Sequence, residues 1–166
     1  MTGVSETGSG KTAVFALPIL QRLSSDPYGI FAVILTPTRE LAIQIDDQME
    51  AFGSPIHVRS ALIIGGQNFV QQAEALRQRP HVVIATPGRL LQHLQTADPP
   101  VTKRLGFIVL DECDRMLSST LKSEVKEIVS LLSQRCVRPP QYLFLTATYD
   151  DSVRAEIVLP IVILHR

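Results

Sequence analysis

Phe107-Ile108-Val109-Leu110-Asp111-Glu112-Cys113-Asp114 is a short apolar run that stops abruptly at two adjacent carboxylates. Four apolar residues in a row, two of them β-branched, fit a strand covered on both faces of a sheet. Working outward, the same kind of run recurs at Phe31–Leu35, Ser60–Ile64, Val82–Ala85, Tyr142–Leu145 and Ile161–Leu164. Between the runs lie stretches with helical spacing. Leu41, Ile45, Met49 and Phe52 step by four and three, with Gln, Asp and Glu opposite. Ala13–Leu23 and residues 69–78, 88–96 and 120–132 read similarly. Strands alternating with helices predict an α/β fold with a mostly parallel sheet flanked by helices on both faces. Pro99-Pro100 and Pro139-Pro140 mark loops inside one domain.

The 166 residues suit one domain, and 45% hydrophobic content excludes a disordered tail. Apolar stretches of about eight residues fall short of the ~20 that span a bilayer, so no membrane partner is expected. Met1 to Glu6 lacks the basic and apolar regions of a signal peptide. Cys113 and Cys136 cannot build a disulfide framework, which points to a reducing, intracellular compartment. Sixteen Lys plus Arg balance sixteen Asp plus Glu, so a generic DNA-coating protein is disfavoured, although a local basic face is not.

In such a fold the chemistry gathers at the carboxyl ends of the strands. Thr7-Gly8-Ser9-Gly10-Lys11-Thr12 opens the first helical stretch. Small residues let backbone N–H groups curl around a phosphate, and the helix N-terminus adds positive potential. Lys11 can reach the β- and γ-phosphates and Thr12 can hold Mg²⁺. Ser5 stands where the strict phosphate-loop pattern has Gly. The bland alternative is a Gly-rich turn before a helix. Asp111 can hold the Mg²⁺ of a bound nucleotide and Glu112 can orient water; the alternative is a helix N-cap formed by Asp111 or Asp114.

Further motifs carry a resemblance. Pro37-Thr38-Arg39-Glu40-Leu41-Ala42, Gly65-Gly66, Thr86-Pro87-Gly88-Arg89, Asp111-Glu112-Cys113-Asp114 and Thr146-Ala147-Thr148 follow the phosphate loop in the order found in DEAD-box RNA helicases. The chain resembles the N-terminal RecA-like, ATP-binding domain of that family over nearly its whole length. Residues 1–166 are expected to form part of that domain, with a stub of the strand before the phosphate loop and without the second helicase domain. The resemblance implies ATP and Mg²⁺ as cofactors, ATP hydrolysis, and local unwinding of RNA duplexes. It assigns catalysis to Lys11, Asp111 and Glu112, and RNA-backbone contact to Pro37, Thr38, Arg39, Gly65, Gly66, Thr86, Pro87, Gly88 and Arg89. Coupling of hydrolysis to unwinding falls to Asp114, Thr146 and Thr148. Unaided by the resemblance, Thr38 is an ordinary helix cap and Thr86-Pro87-Gly88 a turn.

Ser25–Phe31, chiefly Asp26–Phe31, and Arg79–Leu90 resemble the nucleolar subgroup that matures small-subunit ribosomal RNA, implying rRNA processing and a nuclear, nucleolar location. A stimulating protein partner is implied as well. Without the arginine finger of the second domain, the 166 residues alone are expected to turn over slowly, since such a finger contributes ~10³–10⁵ in rate. Two other readings stay open: a P-loop translocase on DNA, and a noncatalytic fragment. His57, His81, His93 and His165 lack metal-ligand spacing, and Cys136 is expected in a solvated loop near Arg135 and Arg138.

Overall fold

The computed structural model describes residues 11–26, 28–96, 98–146 and 161–165, with the backbone alone for Lys11 and 161–165. Six strands form one sheet: β1 (Ala32–Leu35), β2 (Ser60–Ile63), β3 (Val82–Ala85), β4 (Phe107–Asp111), β5 (Gln141–Thr146) and β6 (Ile161–His165). Their order is β2-β3-β1-β4-β5-β6, and every pairing is parallel. Among the described residues six α-helices accompany them: α1 (Lys11–Leu23), α2 (Arg39–Gly53), α3 (Phe69–Arg77), α4 (Pro87–Leu94), α5 (Cys113–Leu117) and α6 (Lys122–Arg135). The expected α/β architecture is present.

Alternation along each strand sorts the core into two layers. Ile34, Ile84 and Val109 face Phe15, Ile19, Ala42, Ile45 and Met49 of α1 and α2. Val33, Leu35, Val83, Ile108 and Leu110 face Leu90, Leu94, Met116, Ile128 and Leu132 of α4, α5 and α6. Two apolar faces per strand are why the runs carry no polar alternation. Helix starts are locally encoded. Thr38 caps α2 by accepting the Leu41 N–H at 3.2 Å, and Asn68 caps α3 by accepting those of Val70 and Gln71. Pro87 takes the first position of α4, where its missing N–H costs nothing.

Two points differ from expectation. The helix expected over 120–132 is α6, but the short α5 ahead of it was not foreseen, because a five-residue helix shows no periodicity in sequence. Among the described residues β5 is paired on both edges, by β4 and by β6 in the register Tyr142↔Ile161 to Thr146↔His165. Cys136 is half-buried, not solvated: its thiol donates to the Leu132 carbonyl at 3.0 Å, and burial pushes its pKa up. His81 and His93 lie in the interior, while His57 is exposed.

Candidate functional site

Parallel pairing brings the loops that follow β1, β3, β4 and β5 to one end of the sheet. Pro37, Thr38 and Arg39 leave β1, Thr86 to Arg89 leave β3, Asp111 and Glu112 close β4, and Thr146 closes β5. α1 begins at Lys11, with Thr12 buried in its first turn. Thr7, Gly8, Ser9, Gly10 and Thr148 lie outside the described residues, as does the Lys11 side chain.

Asp111 is 4% exposed and ends its strand facing the loop cluster. Its Oδ1 accepts the Glu112 N–H at 3.1 Å. Glu112 takes the left-handed conformation, φ 55° and ψ 47°, which an L-residue adopts at a cost of ~1–2 kcal/mol. That turn lets α5 begin directly after the strand and keeps Glu112 beside its end. Neither acidic N-cap alternative is realised. Glu112 holds the N-cap position of α5 without a side-chain cap bond, and Asp114, one residue inside the helix, accepts the Arg115 N–H at Oδ1. Glu112 Oε2 accepts a 2.7 Å bond from Arg115 Nη1. Between the carboxylates, Cys113 is fully buried; burial and the Asp114 charge raise its thiol pKa to about 11. It hydrogen-bonds the Thr146 hydroxyl, which ties the acidic loop to the end of β5. Hard oxygen donors from Asp111 and Thr12 at one sheet end fit a Mg²⁺-nucleotide chemically.

Gly65 and Gly66 have a reason that sequence alone does not supply. A Cβ on Gly65 would sit 2.9 Å from Arg39 Nη2, and one on Gly66 2.6 Å from Arg39 Nη1. The two glycines therefore make room for the Arg39 guanidinium, and Gly66 also holds φ +82°. Gly66→Ala is expected to destabilise the fold by about 1–2 kcal/mol from backbone strain. The double change Gly66→Ala/Arg39→Ala should recover only the steric share in denaturant unfolding. Equal stability of Gly66→Ala and the parent would show that neither constraint operates.

Sequence reasoning also missed a buried connection behind these loops. Gln72 Nε2 donates to the Ile64 carbonyl at 2.9 Å, just before Gly65, and to Gln67 Oε1 at 3.3 Å. Its Oε1 therefore accepts, at 3.3 Å, the hydrogen assigned to His93 Nε2. The His93 ring stacks on Phe69 at 4.0 Å and 4°, and Arg89 lies 5.6 Å from the Phe69 centroid. The Gly65-Gly66 loop and the Thr86–Arg89 loop thus share one support. Pairs such as His93 and Gln72 give no sequence signal, because their contact crosses 21 positions.

Burial, then Arg89, holds the His93 pKa below its usual 6.5. The folded state accepts that proton less readily than the unfolded chain. The resulting stability is present above about pH 6.5 and is lost as pH falls below it. The melting temperature should therefore fall between pH 7 and 5.5, and fall less in His93→Gln. Parallel pH profiles of the two proteins would refute this.

Thr86 differs from Thr38 in that its side chain makes no cap bond, leaving the hydroxyl available at the cluster. A Cβ on Gly88 would meet Glu124 Oε2 at 3.3 Å; that buried oxygen and Thr36 Oγ1 have no hydrogen-bond partner among the described residues. No sequence pattern pointed to either.

Comparison with known proteins agrees with this geometry. The sequence model of the DEAD/DEAH box helicase family matches residues 1–156. The chain is 47% identical over 152 residues to the human protein named probable ATP-dependent RNA helicase DDX49, covering 92% of the chain and 31% of that protein. It is 50% identical over 160 residues to the ATP-dependent RNA helicase dbp8 of Sclerotinia sclerotiorum, covering 92% and 29%. Its fold superposes on Mss116p, solved with ssRNA and AMP-PNP, with a TM-score of 0.82 at 30% identity, over 92% of the chain and 32% of that structure. The chain thus spans under a third of the length of these curated relatives. With the motif loops gathered at one sheet end and a family match over nearly its full length, the chain belongs to the DEAD/DEAH box helicase family.

Proposed function

We propose that this chain is the ATP-binding and ATP-hydrolysing part of an RNA helicase that couples ATP to local unwinding of RNA duplexes. The observation that carries the reading is the convergence of the Thr38-Arg39, Thr86–Arg89, Asp111-Glu112 and Thr146 loops beside the start of α1. Lys11 and Thr12 hold phosphates and Mg²⁺, Asp111 holds the ion, and Glu112 orients the attacking water. Magnesium lends charge neutralisation to the phosphates when bound; the chain's own residues orient and exclude. Arg39, caged by Gly65-Gly66, and Arg89, braced on Phe69, present guanidinium groups to a phosphate backbone. Such contacts position a strand without reading its bases. The Cys113–Thr146 bond gives the acidic loop a direct route to the segment after β5.

The names of the relatives support an RNA substrate over DNA, and the resemblance of Asp26–Phe31 supports a role in ribosomal RNA processing with a nucleolar location. Unwinding belongs to the whole protein, since the relatives extend well beyond the matched region. A stimulating protein partner is part of the same proposal.

The test is thermal unfolding with and without Mg-ATP, beside Lys11→Ala. At a hundredfold excess over Kd, ligand binding stabilises by about 2.7 kcal/mol. For a chain of this size that is a rise of roughly 5–10 °C. The rise should vanish in Lys11→Ala. A cooperative transition with no shift in the parent would show a folded domain without a usable nucleotide site. RNA and DNA oligomers competing for the same protein separate helicase from DNA translocase.

A further inference from the structure

The opposite end of the sheet carries its own chemistry. Because all pairings are parallel, the segments that enter the strands line up along the amino-terminal edge in the order of the strands. Across that edge Arg59 precedes β2, Arg79 precedes β3, Tyr28 precedes β1, Lys103 and Arg104 precede β4, and Arg138 precedes β5. The chain as a whole is neutral, so this row concentrates charge that is balanced elsewhere, notably by the acidic face of α2.

Several of these groups are held in place. Arg59 donates to the Gln78 and Arg79 carbonyls at 3.1 and 3.2 Å. Arg79 Nη1 donates to the Tyr28 hydroxyl at 2.8 Å, and the Arg104 guanidinium lies 5.7 Å from the Tyr28 ring centroid while pairing with Asp26. Tyr28 is nonetheless 54% exposed. Beside it, Arg22, Phe31, Lys103, Gly106, Arg138 and Gln141 line a concavity of about 580 Å³. Among the described residues no carboxylate lines it.

Helix dipoles account for part of the row. α1 ends here, and Arg22 in its last turn offsets the negative end. That explanation does not reach Arg59, Lys103 or Arg104, which precede strands. An exposed aromatic ring fixed by two arginines, next to a cationic hollow, is the combination that binds single-stranded nucleic acid: phosphates on the cations, a base on the ring. From β2 to β5 the edge spans about 19 Å at ~4.8 Å per strand, room for several nucleotides.

We propose that the amino-terminal edge of the sheet is a second track for single-stranded RNA, with Lys103, Arg138 and Arg22 on phosphates and Tyr28 stacking a base. It sits at the far end of the strands from Arg39 and Arg89. The proposal rests on the reading of this chain as an RNA binder.

The experiment measures binding of a labelled oligouridine to the full chain by fluorescence anisotropy, without nucleotide, between 50 and 200 mM salt. In Lys103→Gln/Arg138→Gln the slope of log affinity against log salt should fall by about 1.4, two contacts at ~0.7 each. Tyr28→Ala should weaken binding by ~5- to 150-fold with the slope unchanged. All three side chains are exposed, and unchanged melting temperatures will show that the variants stay folded. Parental affinity and slope in both variants would overturn the proposal. If polyglutamate then bound the parent and not Lys103→Gln/Arg138→Gln, the edge would be a dock for an acidic protein. Arg89→Ala keeps the two readings apart: binding lost there and untouched at the edge defeats this proposal alone. Binding lost at the edge and untouched in Arg89→Ala supports it and defeats the assignment of RNA to the other end.

Discussion

Glu112→Gln is expected to lower ATP hydrolysis by about 10²–10⁴, the range over which a positioned acid–base group contributes, with Mg-ATP affinity retained. The two carboxylates at the end of β4 differ in their surroundings. Asp111 is almost fully buried and is tied to the backbone that follows it. Glu112 is the one whose backbone departs from the ordinary regions, and its side chain is 21% exposed. Gln keeps the volume and the turn but surrenders the charge, so the loss falls on water orientation and not on phosphate binding. Single-turnover hydrolysis with protein in excess over labelled ATP reads even slow rates. A change of under threefold would remove Glu112 from the chemistry, and a parallel loss of ATP affinity would reassign it to binding.

The second large effect is on the fold. Ile34 is fully buried in β1, opposite Ile84 of β3 and Val109 of β4, against α1 and α2. Ile34→Ala removes buried methyl groups from a layer walled in by sheet on one side and helices on the other, where collapse is hard. The expected loss is about 3–4 kcal/mol, with Ile34→Val costing roughly 1 kcal/mol. In a domain of this size the alanine change lowers the melting temperature by roughly 8–14 °C. Ile43→Ala on the exposed side of α2 serves as control, since Ile43 is 42% exposed. Similar losses for Ile34→Ala and Ile43→Ala in denaturant unfolding would contradict the two-layer core.

Much of this architecture is visible in the sequence, because strands covered on both faces must be apolar throughout. Val82–Ala85 agrees to the residue, and the other five runs differ only at their ends. Helix starts at Thr38, Asn68 and Pro87 carry their chemistry locally. What stays hidden is set by contacts between distant residues. Gly65-Gly66 reads as a loop until Arg39 is seen against it. The left-handed turn at Glu112 and the short α5 leave no periodic trace. The cations of the amino-terminal edge are solitary charges in sequence, and strand order alone puts them in a row. The roles of Thr7 to Gly10 and of Thr148 rest on motif and resemblance, since they lie outside the described residues.

The strand order has a consequence for how the chain comes off the ribosome. β1 pairs with β3 and β4 but not with β2, so Ala32–Leu35 has no strand partner until Val82–Ala85 has been made. At ~5–20 residues per second that is a wait on the order of 2–10 s. During it, β1, β2 and the three helices α1, α2 and α3 have no sheet to close on. β3 then recruits β1 and β2 together. The nascent chain is thus most exposed to aggregation, and most in need of a holding chaperone, just before the residues of β3 emerge.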